Sequence, residues 1–177
     1  MGAVTGELIE REETLGTLEL EIARGLAGDG RLLLVEGEAG VGKTRVLDAA
    51  VGRQREARVL RAVAGQYEGD LAFGVARQLL GAEAFATGGP VPVDVDVGAV
   101  LHDLHLRVLE LAGERPLLIV VDDLHWADPP SVRLLAYLAR RLDGAPLALL
   151  GGARTGPGTW RRCASRRWGR GRSRCGR

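Results

Sequence analysis

Arg31-Leu32-Leu33-Leu34-Val35-Glu36-Gly37-Glu38-Ala39-Gly40-Val41-Gly42-Lys43-Thr44 is the stretch on which the reading of this chain turns. Leu32 to Val35 is a short unbroken apolar run, as expected of a strand covered on both faces. Gly37 to Thr44 then fits the pattern Gly-x-x-x-x-Gly-Lys-Ser/Thr, a loop that wraps phosphates. Val46, Leu47, Ala50 and Val51 follow at helical spacing. The order strand, glycine loop, helix is the context that this motif requires.

The residue types follow from the chemistry of a triphosphate. Gly37, Gly40 and Gly42 allow backbone conformations closed to other residues and carry no side chains to hold the anion away. The amides of Glu38, Ala39, Gly40, Val41, Gly42, Lys43 and Thr44 can then form a nest of donors, reinforced by the positive end of the helix that begins near Gly42. Lys43 is expected to reach the outer phosphates and Thr44 to place its hydroxyl on a magnesium ion that keeps several waters. Arg45 closes the set of nucleotide-contacting positions. Of 24 basic residues 23 are arginine, and Lys43 is the only lysine. A compact point charge thus stands at the one place where a broad planar fork suits less well.

Leu117-Leu-Ile-Val-Val121-Asp122-Asp123 has the form of a Walker B strand, apolar and ending in acids. Ligands of open α/β sheets bind beyond the carboxyl ends of the strands, so Asp122 is expected at the rim that carries the glycine loop, holding the magnesium. Asp123 is placed to orient or deprotonate the attacking water. Arg154, after the next apolar run, is expected to contact the terminal phosphate. No second His or Cys stands at metal-ligand spacing from His125, so no metal site is expected there, and Trp126 reads as a packing residue. His102 and His105 fall within a helix, facing solvent or a neighbouring group.

Around these motifs strands and helices alternate. Helices are predicted over residues 7–27, 71–80, around Val100 to Leu111, and after Asp128, which can cap the helix that Pro129 opens. Further strands are predicted within 57–64 and 146–150. Gly81 to Gly98, rich in Gly, Ala and Pro, reads as a surface loop; the alternative within it is a strand at Val91 to Val97, which its proline would confine to an edge. The pattern implies an α/β fold: a P-loop NTPase three-layer α/β/α sandwich with a mostly parallel sheet. The divisions are a helical segment at 1–30, a nucleotide-binding core at 31–156 and an Arg-rich tail at 157–177.

At 177 residues with 46% hydrophobic content, the chain suits one domain with a substantial core. No apolar run approaches the ~20 residues of a membrane span. Glutamates occupy the N-terminal region where a signal peptide carries positive charge, and two cysteines make no disulfide framework, so a cytoplasmic location is expected. The net charge of +1 averages two unlike parts: residues 1–159 hold 16 basic and 23 acidic groups, whereas 160–177 hold 8 arginines and no acid. The tail reads as lacking regular structure.

Four strings together resemble one family: Gly37 to Thr44, Leu71-Ala-Phe-Gly-Val-Ala-Arg-Gln-Leu79, Val120-Val-Asp-Asp-Leu-His-Trp-Ala-Asp128 and Leu134-Leu-Ala-Tyr-Leu-Ala-Arg-Arg-Leu-Asp143. The chain is similar to the AAA/STAND-type ATPase module of large LuxR-type bacterial transcriptional regulators. That resemblance implies binding of ATP or ADP with Mg²⁺, slow hydrolysis and a switch between nucleotide states. It places Lys43 and Thr44 on phosphate and metal, Asp122 on the metal side, Asp123 as the hydrolytic carboxylate and Arg154 as sensor of the terminal phosphate. In the whole family an inducer, self-association and promoter DNA are further partners. Glu10 stands where the family carries the glycine of a Gly-Arg-Glu core, which bears on adenine contact and base preference.

The family's last core strand, lid, winged-helix, repeat and DNA-binding portions have no counterpart here. The expectation is therefore a truncated fragment with weak or no hydrolysis as isolated, its core incomplete at the C-terminus, an exposed strand edge, and a reading-frame change near codon 157. Two other readings remain open: a stand-alone ATPase or small kinase, and a nucleic-acid-binding protein acting through its basic tail.

Overall fold

The computed structural model of the chain describes residues 5–85, 96–155 and 172–174. Helix α1 (Thr5–Arg24) ends in a single wider turn, Gly25–Asp29, and leads into β1 (Arg31–Gly37). Then follow α2 (Lys43–Gly52), β2 (Arg58–Val63), α3 (Gly74–Leu80), α4 (Val97–Glu114), β3 (Leu117–Asp122), α5 (Pro129–Ala139), β4 (Leu147–Arg154) and β5 (Arg172–Arg174). All pairings are parallel, in the order β2-β3-β4-β1-β5. The sequence-predicted α/β class and parallel sheet are what the structure shows.

Alternation along each strand builds two cores. Leu117, Ile119 and Val121 of β3 point to one face with Leu147 and Leu149 of β4, under α3, α4 and α5. Leu118 and Val120 point to the other with Leu33, Val35, Ala148 and Leu150, under Leu18 and Ile22 of α1 and Val46, Leu47 and Ala50 of α2. Period-two alternation with apolar residues at every position is the signature of a strand buried on both sides. The handedness of parallel crossovers explains which helix goes where. The step from β1 to β2 runs one way across the sheet and those from β2 to β3 and β3 to β4 run back, so right-handed connections put α2 on the face opposite α3, α4 and α5.

That arrangement also prepares a site. The chain leaves β1 toward one face and β3 toward the other, so the rim between their carboxyl ends opens as a crevice. Registers bring Gly37 opposite Arg154, Val63 opposite Asp122 and Val121 opposite Gly151, which places the carboxyl ends of β1, β2, β3 and β4 at that rim.

Several boundaries differ from expectation. The predicted strand at 146–150 runs on through Arg154, because Gly151, Gly152 and Ala153 are narrow enough to lie between β1 and β3. Leu71 to Phe73 precede α3 rather than opening it, and Phe73 takes a left-handed conformation at φ 61°. Val97 begins α4 behind Asp96, whose carboxylate accepts from the Gly98 amide, and the rest of the Val91–Val97 edge strand lies outside the described residues. The tail reading needs a correction at three residues. Arg172–Arg174 are extended and pair with Leu34, Val35 and Glu36 on the outer side of β1, where no strand was expected. The physical reason is that an edge strand offers a row of unpaired N–H and C=O groups to any backbone in reach, whatever its side chains. No helix among the described residues is long and apolar enough to cross a membrane.

Of the two places expected for His105, solvent or a neighbouring group, it takes the second. It is 8% exposed, its ring set edge-on to Tyr137 at 5.6 Å, inside the contact between α4 and α5. Burial pushes its pKa below the usual histidine range, and Arg141 and His102 push the same way. A group whose folded pKa lies below its unfolded one adds stability above the unfolded pKa, about 6.5, and loses it as pH falls through the folded value. Denaturant midpoints should therefore fall as pH is lowered from about 6.5, and His105→Leu should flatten that dependence.

Candidate nucleotide site

The phosphate loop turns on two glycines. Gly40 (φ 78°) and Gly42 (φ 87°) are left-handed, conformations that side chains rarely adopt, and Gly42 is the N-cap of α2. Gly37 differs from expectation: it is the last residue of β1, in regular register with Arg154, and contributes its carbonyl rather than a bend. That carbonyl accepts from the Thr155 amide at 3.2 Å and from Lys43 Nζ at 3.1 Å. Lys43 Nζ also donates to the Glu38 carbonyl at 2.7 Å, and the residue is buried. Glu38, Ala39 and Gly40 form the exposed crest of the loop, Val41 and Gly42 its inner limb, and Arg45 is exposed on the first turn of α2.

Thr44 and Asp122 meet across 78 residues of sequence. The Thr44 hydroxyl donates to Asp122 Oδ2 at 2.7 Å, and Asp122 Oδ1 accepts from the Asp123 amide at 2.8 Å. Asp122 is 3% exposed and ends β3 at the rim. The donor set is a hydroxyl and a carboxylate, hard oxygens of the kind magnesium takes. No group of three or more His, Cys, Asp or Glu able to hold a metal exists among the described residues. A magnesium here fits if most of its shell comes from phosphate and water, which is how this ion is ordinarily held.

Asp123 sits at φ 50°, ψ 36° and opens a short turn, Leu124–Trp126. Its carboxylate is 3.8 Å from His125 Nδ1. Burial pushes His125 below the usual histidine range; Asp123 opposes this, Arg154 and Lys43 add to it, and Asp122 opposes it. Arg154 is exposed at the end of β4, its guanidinium 5.9 Å from the centre of the Trp126 ring. Trp126 itself packs on the core, as expected.

Three residues here carry more than their sequence signals suggested. His125 received no role from the sequence, yet it stands 3.8 Å from the Asp123 carboxylate and feels the charges of Arg154, Lys43 and Asp122. Asp128 was expected to cap α5, which it does through the Ser131 amide at 2.9 Å. It also accepts from the amides of Phe73 at 2.8 Å and Val75 at 3.2 Å, tying the start of α3 to the start of α5. Gly152 makes room for Asp122: a Cβ there would lie 2.7 Å from Asp122 Oδ1 and 2.9 Å from Leu47 Cδ1. A pair of glycines inside an apolar strand was the available sign of such a close approach. Gly152→Ala should cost about 1–3 kcal/mol in stability from overpacking, seen as an earlier denaturant midpoint, and should weaken metal-dependent nucleotide binding by displacing Asp122.

Comparison with solved structures places this fold. The chain is similar to Cdc6p from Pyrobaculum aerophilum, with a TM-score of 0.61 at 19% identity over 93% of this chain and 44% of that one. A chain in the structure of Drosophila ORC bound to GC-rich DNA and Cdc6 gives 0.63 at 13% identity, over 96% of this chain and 57% of that one. C. elegans PCH-2 gives 0.51 at 12% identity, over 94% and 42%. The chain thus spans about half the length of the first two. No curated protein matches it. The family model described as AAA ATPase domain matches residues 7–150, from within α1 into β4. With its phosphate loop, acidic strand end and parallel sheet in that order, the chain belongs to the AAA ATPase domain family, and nucleotide binding comes with that membership.

Proposed function

We propose that this chain is a Mg-ATP-dependent nucleotide switch, the ATPase module of a LuxR-type transcriptional regulator, binding ATP and ADP and hydrolysing slowly. The observation that carries the reading is the meeting of Thr44 and Asp122 at 2.7 Å beside the buried ammonium of Lys43. In this reading Thr44 and Asp122 hold the magnesium, which when bound neutralises charge on the outer phosphates. Lys43 exchanges its loop carbonyls for phosphate oxygens, a stronger charge-assisted pairing. Asp123 orients the attacking water, and Arg154 contacts the terminal phosphate from the end of β4. The loop from Gly37 through Thr44, with Arg45, lines the phosphates.

The regulator context rests on the strings Leu71 to Leu79 and Val120 to Asp128. Asp128 bonds the amides of Phe73 and Val75, so the two strings form one unit beside the site. Inducer, self-association and promoter DNA belong to the longer regulator. Phosphate release by the purified chain tests the reading. A switch should turn over far below the ~10 per second of a typical enzyme while binding both Mg-ATP and Mg-ADP. Rapid turnover, or transfer to an added acceptor, would instead identify a stand-alone ATPase or small kinase. Salt-sensitive nucleic-acid binding lost on removing residues 157–177 would favour the tail as the functional element.

A further inference from the structure

His125 is the polar side chain that the site reading leaves unused. Both of its ring nitrogens are enclosed, neither has a hydrogen-bond partner, and the side chain is 12% exposed. A neutral imidazole always carries one N–H and one acceptor nitrogen, and enclosed polar atoms in native proteins are nearly always paired. A leucine or phenylalanine would pack against Trp126, whose ring centre is 5.0 Å away, without that penalty. The imidazole is therefore explained only by a partner that reaches it.

The candidate partner is in place. Asp123 Oδ1 lies 3.8 Å from Nδ1, about 1 Å beyond a hydrogen bond. The backbone of Asp123 is held at both ends, its amide on Asp122 Oδ1 at 2.8 Å and its carbonyl accepting from the Trp126 amide at 2.8 Å. Its side chain is 41% exposed and so has room to turn toward the ring. We propose that His125 is a positioning residue for Asp123: its Nδ1–H donates to the Asp123 carboxylate when nucleotide occupies the loop, holding that carboxylate toward the terminal phosphate. This rests on the nucleotide reading above. It gives the αL turn at Asp123 a purpose, since that turn accompanies the approach of the His125 ring, two residues on, to 3.8 Å from the carboxylate.

The test uses the whole chain labelled with ¹⁵N-histidine and observed by long-range ¹H–¹⁵N spectra, with His125 assigned from the signals missing in His125→Asn. Addition of Mg²⁺ and a non-hydrolysable ATP analogue should fix His125 as the Nδ1–H tautomer with a slowly exchanging ring proton, and Asp123→Ala should abolish that change. Turnover gives a second readout. His125→Ala should lower it by about tenfold, the loss of one charge-assisted hydrogen bond, while leaving Mg-ATP affinity within about twofold. His125→Asn, whose amide nitrogen can take the place of Nδ1, should restore part of the rate. A His125 spectrum unmoved by an analogue that binds would overturn the positioning role and leave the nucleotide reading intact. Parallel losses of affinity and rate in both variants would do the same, because a structural role predicts them. Absence of binding to the wild-type chain would overturn both.

Discussion

Lys43→Ala should reduce Mg-ATP binding below detection while the chain stays folded. Lys43 is the only lysine in the protein and is 7% exposed, and its ammonium lies against the loop carbonyls of Gly37 and Glu38 at 3.1 and 2.7 Å. A charge-assisted contact to phosphate is worth about 1.5–3 kcal/mol, or roughly 10- to 150-fold in affinity. The loss should exceed that range because the same ammonium also braces the loop whose amides make the remaining contacts. Lys43→Arg separates charge from shape. A guanidinium keeps the charge but is broad and planar, and at this buried point it should also fail. Calorimetric titration measures the effect, with thermal melting as the control for folding. Heats equal to those of the wild type would remove the lysine from the site.

Asp128→Ala should be the most destabilising single change outside the hydrophobic core. One buried carboxylate, 2% exposed, satisfies the amides of Phe73, Val75 and Ser131, and Ser131 Oγ in turn accepts from the Ala76 amide at 3.0 Å. Removing it leaves three backbone donors without acceptors where water has little access. The expected cost is about 3–5 kcal/mol, comparable to breaking a buried charge pair. Against a total stability of ~5–15 kcal/mol, this lowers the melting temperature by on the order of 10 °C. Asp128→Asn keeps one acceptor oxygen and should lose less. An unchanged urea midpoint for the alanine variant would contradict the role given to this residue. The effect should also reach the site, because α5 and the Leu124–Trp126 turn are consecutive and Asp128 anchors both to α3.

The parts of this structure legible in the sequence were those set by local chemistry. Leu117 to Asp122 announces a buried strand because five consecutive apolar residues run up to the acid at its end. Gly40 and Gly42 announce the loop because little else occupies a left-handed backbone. Pro129 and Asp128 announce the start of α5. What stayed hidden depends on contacts between distant segments. Nothing near Asp128 shows that it also serves Phe73 and Val75, 55 and 53 residues away. His105 looks like a surface residue of an amphipathic helix until α5 is laid over it. Gly152 reads as a strand weakener until Asp122 is seen to fill the space its side chain would take. Arg172–Arg174 have no apolar pattern, and their pairing draws only on the backbone of β1. His125 was set aside for want of a metal-binding neighbour, and its place in the site comes from the turn at Asp123.

The central claim is that the oxygens of Thr44 and Asp122 share a metal carried by a polyphosphate in the Gly37–Thr44 loop. Titration of the whole chain with ATP, in magnesium and then in excess chelator, tests it most directly when repeated on Asp122→Asn. Tight binding that depends on magnesium in the wild type, and weak binding indifferent to magnesium in the variant, is the predicted result. Equal affinities across all four titrations would contradict it.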